Sequence, residues 1–261
     1  LPTHEIITLL ILGLAAGALG GMLGIGGSII MIPVLTLLLH VNVHLAQAVA
    51  MIINVAVSLP AMMQHHRAGA VRWVVVWRML IPATVFILLG VWAGNRIDAD
   101  RMKQIFGVFL IYVAFDNLAR MLTKRSEPDV NQQRVDWWRC GLVGSIMGFW
   151  AGLLGVGGGI VSVPLLQKLC RLPLRQCIAT TAACMCFSAA FGAITKNMAL
   201  PQLGLDWRDS LQIAAFLAPT AVLGGLFGGR LAHALPLNIV RAAFILLLLW
   251  SSAEMLGLRL L

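Results

Sequence analysis

The chain reads as an all-α integral membrane protein with about eight transmembrane helical segments, arranged as two homologous halves that each open with a glycine-rich first helix broken near mid-membrane. Two observations predict this. Of the 261 residues, 60% are hydrophobic and only 11% charged. That is too little polar surface to cover a soluble globule of this size, so the solvent for most of the chain is lipid. The second observation is a glycine-rich signature that occurs twice, GGMLGIGGSIIMIPVL at 20–35 and AGLLGVGGGIVSVPLL at 151–166. The copies align without gaps at an offset of 131, pairing Gly13 with Gly144, Gly17 with Gly148, Gly21 with Gly152, Gly24 with Gly155, Gly26 with Gly157, Gly27 with Gly158 and Pro33 with Pro164. Helix packing alone does not require glycines and a proline to match so closely, and the combination points to a membrane transporter built by internal duplication.

Apolar runs long enough to cross roughly 30 Å of hydrocarbon fall near 5–39, 45–64, 73–94, 102–122, 141–167, 177–196, 210–230 and 236–256. The first would be roughly 50 Å long as one helix, so a single span does not fit. Glycines 24, 26 and 27 weaken the helix and Pro33 removes a backbone donor, which places a break at mid-membrane. Non-helical backbone survives there only where it lines a cavity or is buried in protein. The second run carries a polar stripe, Gln47, Asn54 and Ser58, at helical spacing. Gln176, Thr180, Cys184, Ser188 and Thr195 form its counterpart in the second half, with Thr181 beside it. The third run ends in GxxxGxR at Gly90, Gly94 and Arg96. At an offset of 134 this recurs as Gly224, Gly228 and Arg230, with Trp73 matched by Trp207. Small residues four apart let another backbone approach closely, and the arginine is expected to snorkel to headgroups. In the fourth run Asp116 and Arg120 are one turn apart and are expected to pair.

The polar stretch TKRSEPDVNQQRVDWW at 123–138 is the linker between a first repeat, 1–122, and a second, 139–261, each of about four segments. Four crossings in each would make the repeats parallel. If the broken segment folds back as a hairpin, the number of crossings becomes odd and the repeats are inverted, the commoner arrangement when broken helices bind substrate. Lysines and arginines are nearly even between alternate connections and leave both arrangements open.

The net charge of +9 resides mostly at segment ends, where anionic lipid headgroups are its natural partners and no nucleic-acid partner is needed. Trp73, Trp77, Trp92, Trp137, Trp138, Trp207 and Trp250 also lie near predicted ends, as interfacial anchors do. The cysteines, 140, 170, 177, 184 and 186, are odd in number with no CxxC, which argues against a disulfide framework or structural zinc. Histidines, cysteines and carboxylates do not converge on one segment, so neither a metal nor a cofactor is expected. With no GxSxG or HExxH, and with Asp116 and Glu254 as the carboxylates read within helices, little is available for acid and base work and an enzyme is not expected.

The chemistry the sequence does offer is anion binding. A helix beginning after GIGGS or GVGGG presents free backbone donors and its positive end, and the lack of large side chains lets an anion touch the backbone. The predicted site joins Gly26, Gly27 and Ser28 with Gly157, Gly158 and Gly159, and with donors Asn54, Thr180 and Thr181. Ser58, Cys184 and Ser188 are candidate pathway residues. Arg78, about two turns inside its helix, is a candidate contact for substrate, while His65 and His66 at the end of the second run are candidates for proton coupling.

The motif GxLGxGGS followed by IxxIP, and GLLGVGGGIVSVP in the second half, resemble the sulfite exporter TauE/SafE family. So do ATT at Ala179, Thr180 and Thr181, the pattern His66, Gly69, Val71 and Trp73, and the GxxxGxR ends. The resemblance covers nearly the whole chain. It implies a multi-pass permease of a bacterial-type inner (plasma) membrane that moves small sulfur-containing anions, such as sulfite, sulfoacetate or related organosulfonates, usually outward. The chain departs from the family pattern at Val49 and Ala50, which replace the hydroxyl pair, and at Ser28, which replaces the third glycine. These departures suggest an asymmetric site. The expected mechanism is alternating access around a central anion site; another solute, a carboxylate, another oxyanion or a metal ion, is the alternative. The sequence leaves the oligomeric state open.

Overall fold

A chain in lipid must pair its backbone N–H and C=O groups within its own segments, and every regular element of the described residues is helical. The computed structural model describes residues 3–23, 27–122, 133–231 and 237–258. In order these form α1 (Thr3–Leu23), α2 (Ser28–Leu37), α3 (Val43–Arg67), α4 (Trp73–Gly94), α5 (Ala99–Leu122), α6 (Trp137–Leu154), α7 (Gly159–Leu165), a π-helical turn (Leu166–Cys170), α8 (Leu174–Ala199), a 3₁₀ turn (Leu200–Leu203), α9 (Trp207–Leu231) and α10 (Leu237–Met255). Among the described residues five stretches are long and apolar enough to cross a membrane: α3, α4, α5 over Ala99–Ala119, α8 with the turn after it (Leu174–Leu203), and α9 over Trp207–Phe227. Their outer faces stay apolar where a soluble protein would be polar, as at Phe115, 73% exposed, and Met198, 74% exposed.

Among the described residues the eight apolar runs of the sequence become ten α-helices because the first and fifth are each divided, into α1 and α2 and into α6 and α7. The break after α6 is set by Gly155, which adopts a left-handed conformation (φ 72°) while its N–H still reaches the Ala151 carbonyl. A side chain would be strained there, and glycine is not. Helix resumes at Gly159 and runs through the π turn to Arg171, whose own left-handed φ of 52° stops it. The Arg134 N–H then donates to the Cys170 carbonyl at 2.9 Å. The segment therefore returns to the level at which it started, and α6 and α7 are the arms of a hairpin. In the first half α1 runs parallel to α9, and α2 leads directly into the start of α3, where the Asn42 side chain caps the helix by accepting from the His44 N–H at 2.9 Å. That pair is a hairpin entering from the opposite end.

Glycine faces fix both hairpins. A Cβ on Gly144, Gly148 or Gly152 would lie 2.2–2.4 Å from the backbone oxygens of Met79, Ala83 and Ile87 respectively, so α6 lies backbone to backbone along α4. Gly90 makes the reciprocal approach to Phe149 and Leu153, and Gly94 is close to Leu153. On the other side Gly13 and Gly17 press on Leu217 and Ala221 of α9, and Gly224 presses on Leu14 of α1. GxxxG thus acts as a packing device in both third helices. Arg96 stacks over the Trp92 ring, 3.8 Å from its centroid. The side chains of Gly228, Arg230 and Arg120 lie outside the described residues.

Between the two clamps, α3 and α8 pack antiparallel: His44 meets Lys196, and Met51 meets Gly192. The protein thus has a His44 end and a His65 end, and the two hairpins enter from opposite ends. Because backbone cannot give way as a flexible side chain does, Gly148→Val is expected to cost at least about 3 kcal/mol, the upper range for overpacking. Gly141→Ala, whose Cβ meets nothing nearer than Pro82 at 3.9 Å, should be neutral or stabilising. Thermal unfolding of the two purified variants checks the contrast.

Candidate substrate site at the hairpin tips

The two hairpins enter from opposite ends, so their tips meet inside the protein. The tip of the α6–α7 hairpin, 155–158, is held by α3: Gln47 Nε2 donates to the Leu153 carbonyl at 3.3 Å and Asn54 Nδ2 to the Gly155 carbonyl at 3.4 Å. The first residue of α2 touches it directly, the Gly157 N–H donating to Ser28 Oγ at 3.0 Å in a buried contact. Space at 157 is tight: a Cβ would lie 2.6 Å from Met185 Sδ, the flexible end of that side chain, and 3.4 Å from Asn54 Oδ1. Beside it is a small cavity of about 10 Å³, lined among others by Asn54, Gly157, Gly158, Met185 and Ser188. That is space for about one water molecule, so a larger solute fits only if the surrounding segments separate.

Of the predicted site residues, Ser28, Asn54, Gly157, Gly158 and Ser188 converge on this point. Gly27 backs onto α1, its Cβ position 2.8 Å from the Ala16 carbonyl oxygen, and Gly159 is buried as the first residue of α7. Gly26 lies outside the described residues. The two threonines are buried but directed elsewhere. Thr181 Oγ1 pairs with Ser162 Oγ at 3.0 Å, which pins α7 to α8, and Thr180 Oγ1 accepts from the Arg72 N–H at 3.2 Å. Ser58 donates to the Val55 carbonyl of its own helix at 3.3 Å, and Cys184 is buried among apolar side chains. Arg78 donates to the Val135 carbonyl and lies 5.6 Å from the Trp137 ring centroid, at the His65 end. His66 accepts from Trp73 Nε1 at 3.2 Å, and His65 lies close to Arg175.

Two residues of this centre lay outside the predicted site. Met185 gives no polar signal. Gln47 belonged to the stripe, and its buried Oε1 has no hydrogen-bond partner. Away from the centre, at the His44 end, Lys196 is fully buried although it lies near the end of an apolar run. All five cysteines are free and buried, and among the described residues no three histidines, cysteines or carboxylates gather. A larger groove of about 950 Å³, with walls that include Val108, Phe109, Tyr112 and Trp150, opens sideways between α5 and the α6–α7 hairpin.

Long apolar-faced helices packed around a buried, glycine-rich α6–α7 tip define a multi-pass membrane protein. Comparison with known proteins gives the class its name: the sulfite exporter TauE/SafE family matches residues 9–255, and the chain belongs to that family. It is similar to a probable membrane transporter protein of Haemophilus influenzae, 26% identical over 94% of this chain and 95% of the relative. MJ0441 of Methanocaldococcus jannaschii, also a probable membrane transporter protein, is 28% identical over 72% of this chain and 70% of its own. The probable membrane transporter protein MamO of Paramagnetospirillum magneticum is 24% identical over 92% of this chain, which spans less than half of MamO's length (42%). No solved structure matches the chain.

The Ser28 contact supplies a direct check on the tip. Ser28→Ala leaves the buried Gly157 N–H without an acceptor, and the expected loss of stability is about 1–3 kcal/mol. Comparison of thermal unfolding in detergent with that of the parent protein measures it.

Proposed function

We propose that the protein exports small sulfur-containing anions, such as sulfite, sulfoacetate or related organosulfonates, across an inner (plasma) membrane by alternating access around the hairpin tips. The observation that carries this reading is the Gly157 N–H, aimed into the protein centre and satisfied there by a hydroxyl oxygen, Ser28 Oγ. An anion oxygen is a better acceptor for that donor than a hydroxyl. Asn54 Nδ2 and the Ser188 hydroxyl, both at the same cavity, add neutral donors without a fixed counter-charge that would have to be abandoned on release.

The architecture suits this role when α3, α4 and α5 are taken as the crossings of one repeat and α8, α9 and α10 as those of the other. Three crossings and one hairpin in each make the repeats inverted. The antiparallel α3–α8 pair then straddles a pseudo-two-fold axis in the membrane plane, a frame in which rocking of one repeat against the other exposes a midplane site to alternate sides. An inside-negative potential assists export by about 2.3 kcal/mol per charge at 100 mV. A carboxylate, another oxyanion or a metal ion in the same frame is the alternative.

Thermal stabilisation of the purified protein by sulfite, sulfoacetate, taurine, thiosulfate, sulfate, acetate and divalent metals separates these readings, because a ligand bound only by the folded state adds about 2.7 kcal/mol at 100 times its Kd. Stabilisation by sulfur oxyanions is expected. An equal response to acetate favours the carboxylate reading, and a response to metals alone defeats the anion site. In Gly157→Ala the flexible end of Met185 can shift to admit the methyl group, so the fold should persist; the methyl group then crowds the approach to the retained N–H, and the anion response should fall by about tenfold or more, the equivalent of one hydrogen bond to a charged group.

A further inference from the structure

The ends of the α3–α8 contact carry two pairs of side chains that the 131-residue offset makes equivalent, since His44 corresponds to Arg175 and His65 to Lys196. The two pairs are in different states. Arg175 is exposed, His65 is half-buried, and no hydrogen bond joins them. At the other end Lys196 is 0% and His44 4% exposed, and they are locked together. Lys196 Nζ lies 3.2 Å from His44 Nδ1 and 2.6 Å from Asn95 Oδ1, and His44 Nε2 lies 3.0 Å from the Ile97 carbonyl oxygen. This network ties α3, α8 and the α4–α5 connection into one seal.

The direction of each bond follows from chemistry. The Ile97 carbonyl can only accept, so the imidazole proton is on Nε2, and Nδ1 is left to accept from Lys196. A second proton on the ring would set an Nδ1–H against the lysine donors with no acceptor between them, away from water. Two neighbours favour a second proton on the ring, and both are already engaged elsewhere. Asp98, the acid near His44, is held by Arg101, at 3.2 Å from its Nε and 2.9 Å from its N–H. Arg96 lies over Trp92. On the inner side Gln47, one turn from His44, has its side-chain amide beside the imidazole and its Nε2 bonded to the α6–α7 tip. A polar face of α3, His44, Gln47 and Asn54, thus runs from the seal to the cavity.

We propose that His44 and Lys196 form a one-proton latch that closes one end of the pathway, and that uptake of a second proton at His44 Nδ1 opens it. The proton enters from solvent as the end opens and returns to solvent as it closes, so each opening at this end carries one proton. The role of the latch rests on the transport reading above, but its chemistry does not depend on which anion is carried.

The test uses nitroxide labels on cysteines placed at the exposed positions Gln104 of α5 and Met198 of α8, with the buried native cysteines left in place. Pulsed electron-spin distances are compared at about pH 8 and about pH 5.5, on either side of the ordinary imidazole range. The expected result is a second population at low pH, longer by on the order of 5 Å, one helical turn. His44→Gln, whose amide accepts from Lys196 but takes up no proton, should show one population at both values. Lys196→Met, with no ammonium to oppose an imidazolium, should also lose the response. An unchanged distance in the parent protein, or a low-pH population that persists in both variants, overturns the latch. Stabilisation by sulfur oxyanions without the distance change would sink the latch and leave the anion site standing, and the distance change without any anion response would do the reverse.

Discussion

Backbone laid against backbone, with nothing larger than a hydrogen between, is the contact on which the rest of the structure depends. A hairpin that enters a membrane without crossing it has a tip with unpaired amides and carbonyls, and lipid offers those groups nothing. The tip is admissible only if protein surrounds it and holds it at a fixed depth. Gly144, Gly148 and Gly152 bring α6 down on α4, which sets the height of Gly155, which in turn lets Gln47 and Asn54 satisfy the Leu153 and Gly155 carbonyls. Larger residues at any of the three glycines would lift the hairpin away from both amides that complete it.

The centre so formed is polar without being charged. A permanent cation would bind an anion tightly and release it slowly, at a high cost of desolvation when empty. Neutral donors avoid both problems, and the Ser28 hydroxyl adds a further device: it occupies the acceptor position on the Gly157 N–H while the tips are together. In the export proposed above, exchange of that bond for one to a substrate oxygen would change the free energy only by a difference between two hydrogen bonds. A small difference would suit a carrier, whose binding is reversed in every cycle.

Much of this could be read in the sequence, for definite reasons. Gly155 and the glycines after it announce a break because they weaken a helix, whereas Pro164 lies within α7 and does not make it; the duplication showed that the break occurs twice. Which helix each hairpin would choose was not legible, since GxxxG specifies a close approach but not a partner: Gly90 is as well suited to α1 as to α6. The threonines show the other limit. Thr180 and Thr181 lie on a polar stripe with Ser188, but a stripe on a helix that long meets several neighbours, and the threonines face Arg72 and Ser162 while only Ser188 reaches the cavity. Lys196 was hidden because its position near a helix end suggested solvent, and only the α4–α5 connection, folding Asn95 over it, makes that end an interior.

The exchange of partners between halves, α1 on α9 and α6 on α4, also bears on how the chain is made. The groove for α6 exists as soon as α4 is in the membrane, so the second hairpin can dock as it leaves the ribosome. The first cannot: Gly13 rests on Leu217, and at synthesis rates of about 5–20 residues per second the intervening chain takes on the order of 10–40 s to appear. For that interval α1 and α2 must wait with a bare glycine face and an unsupported tip. Biogenesis is therefore lopsided even though the finished protein is nearly symmetric, and the early hairpin is the part most dependent on insertion factors or lipids to hold it until α9 arrives.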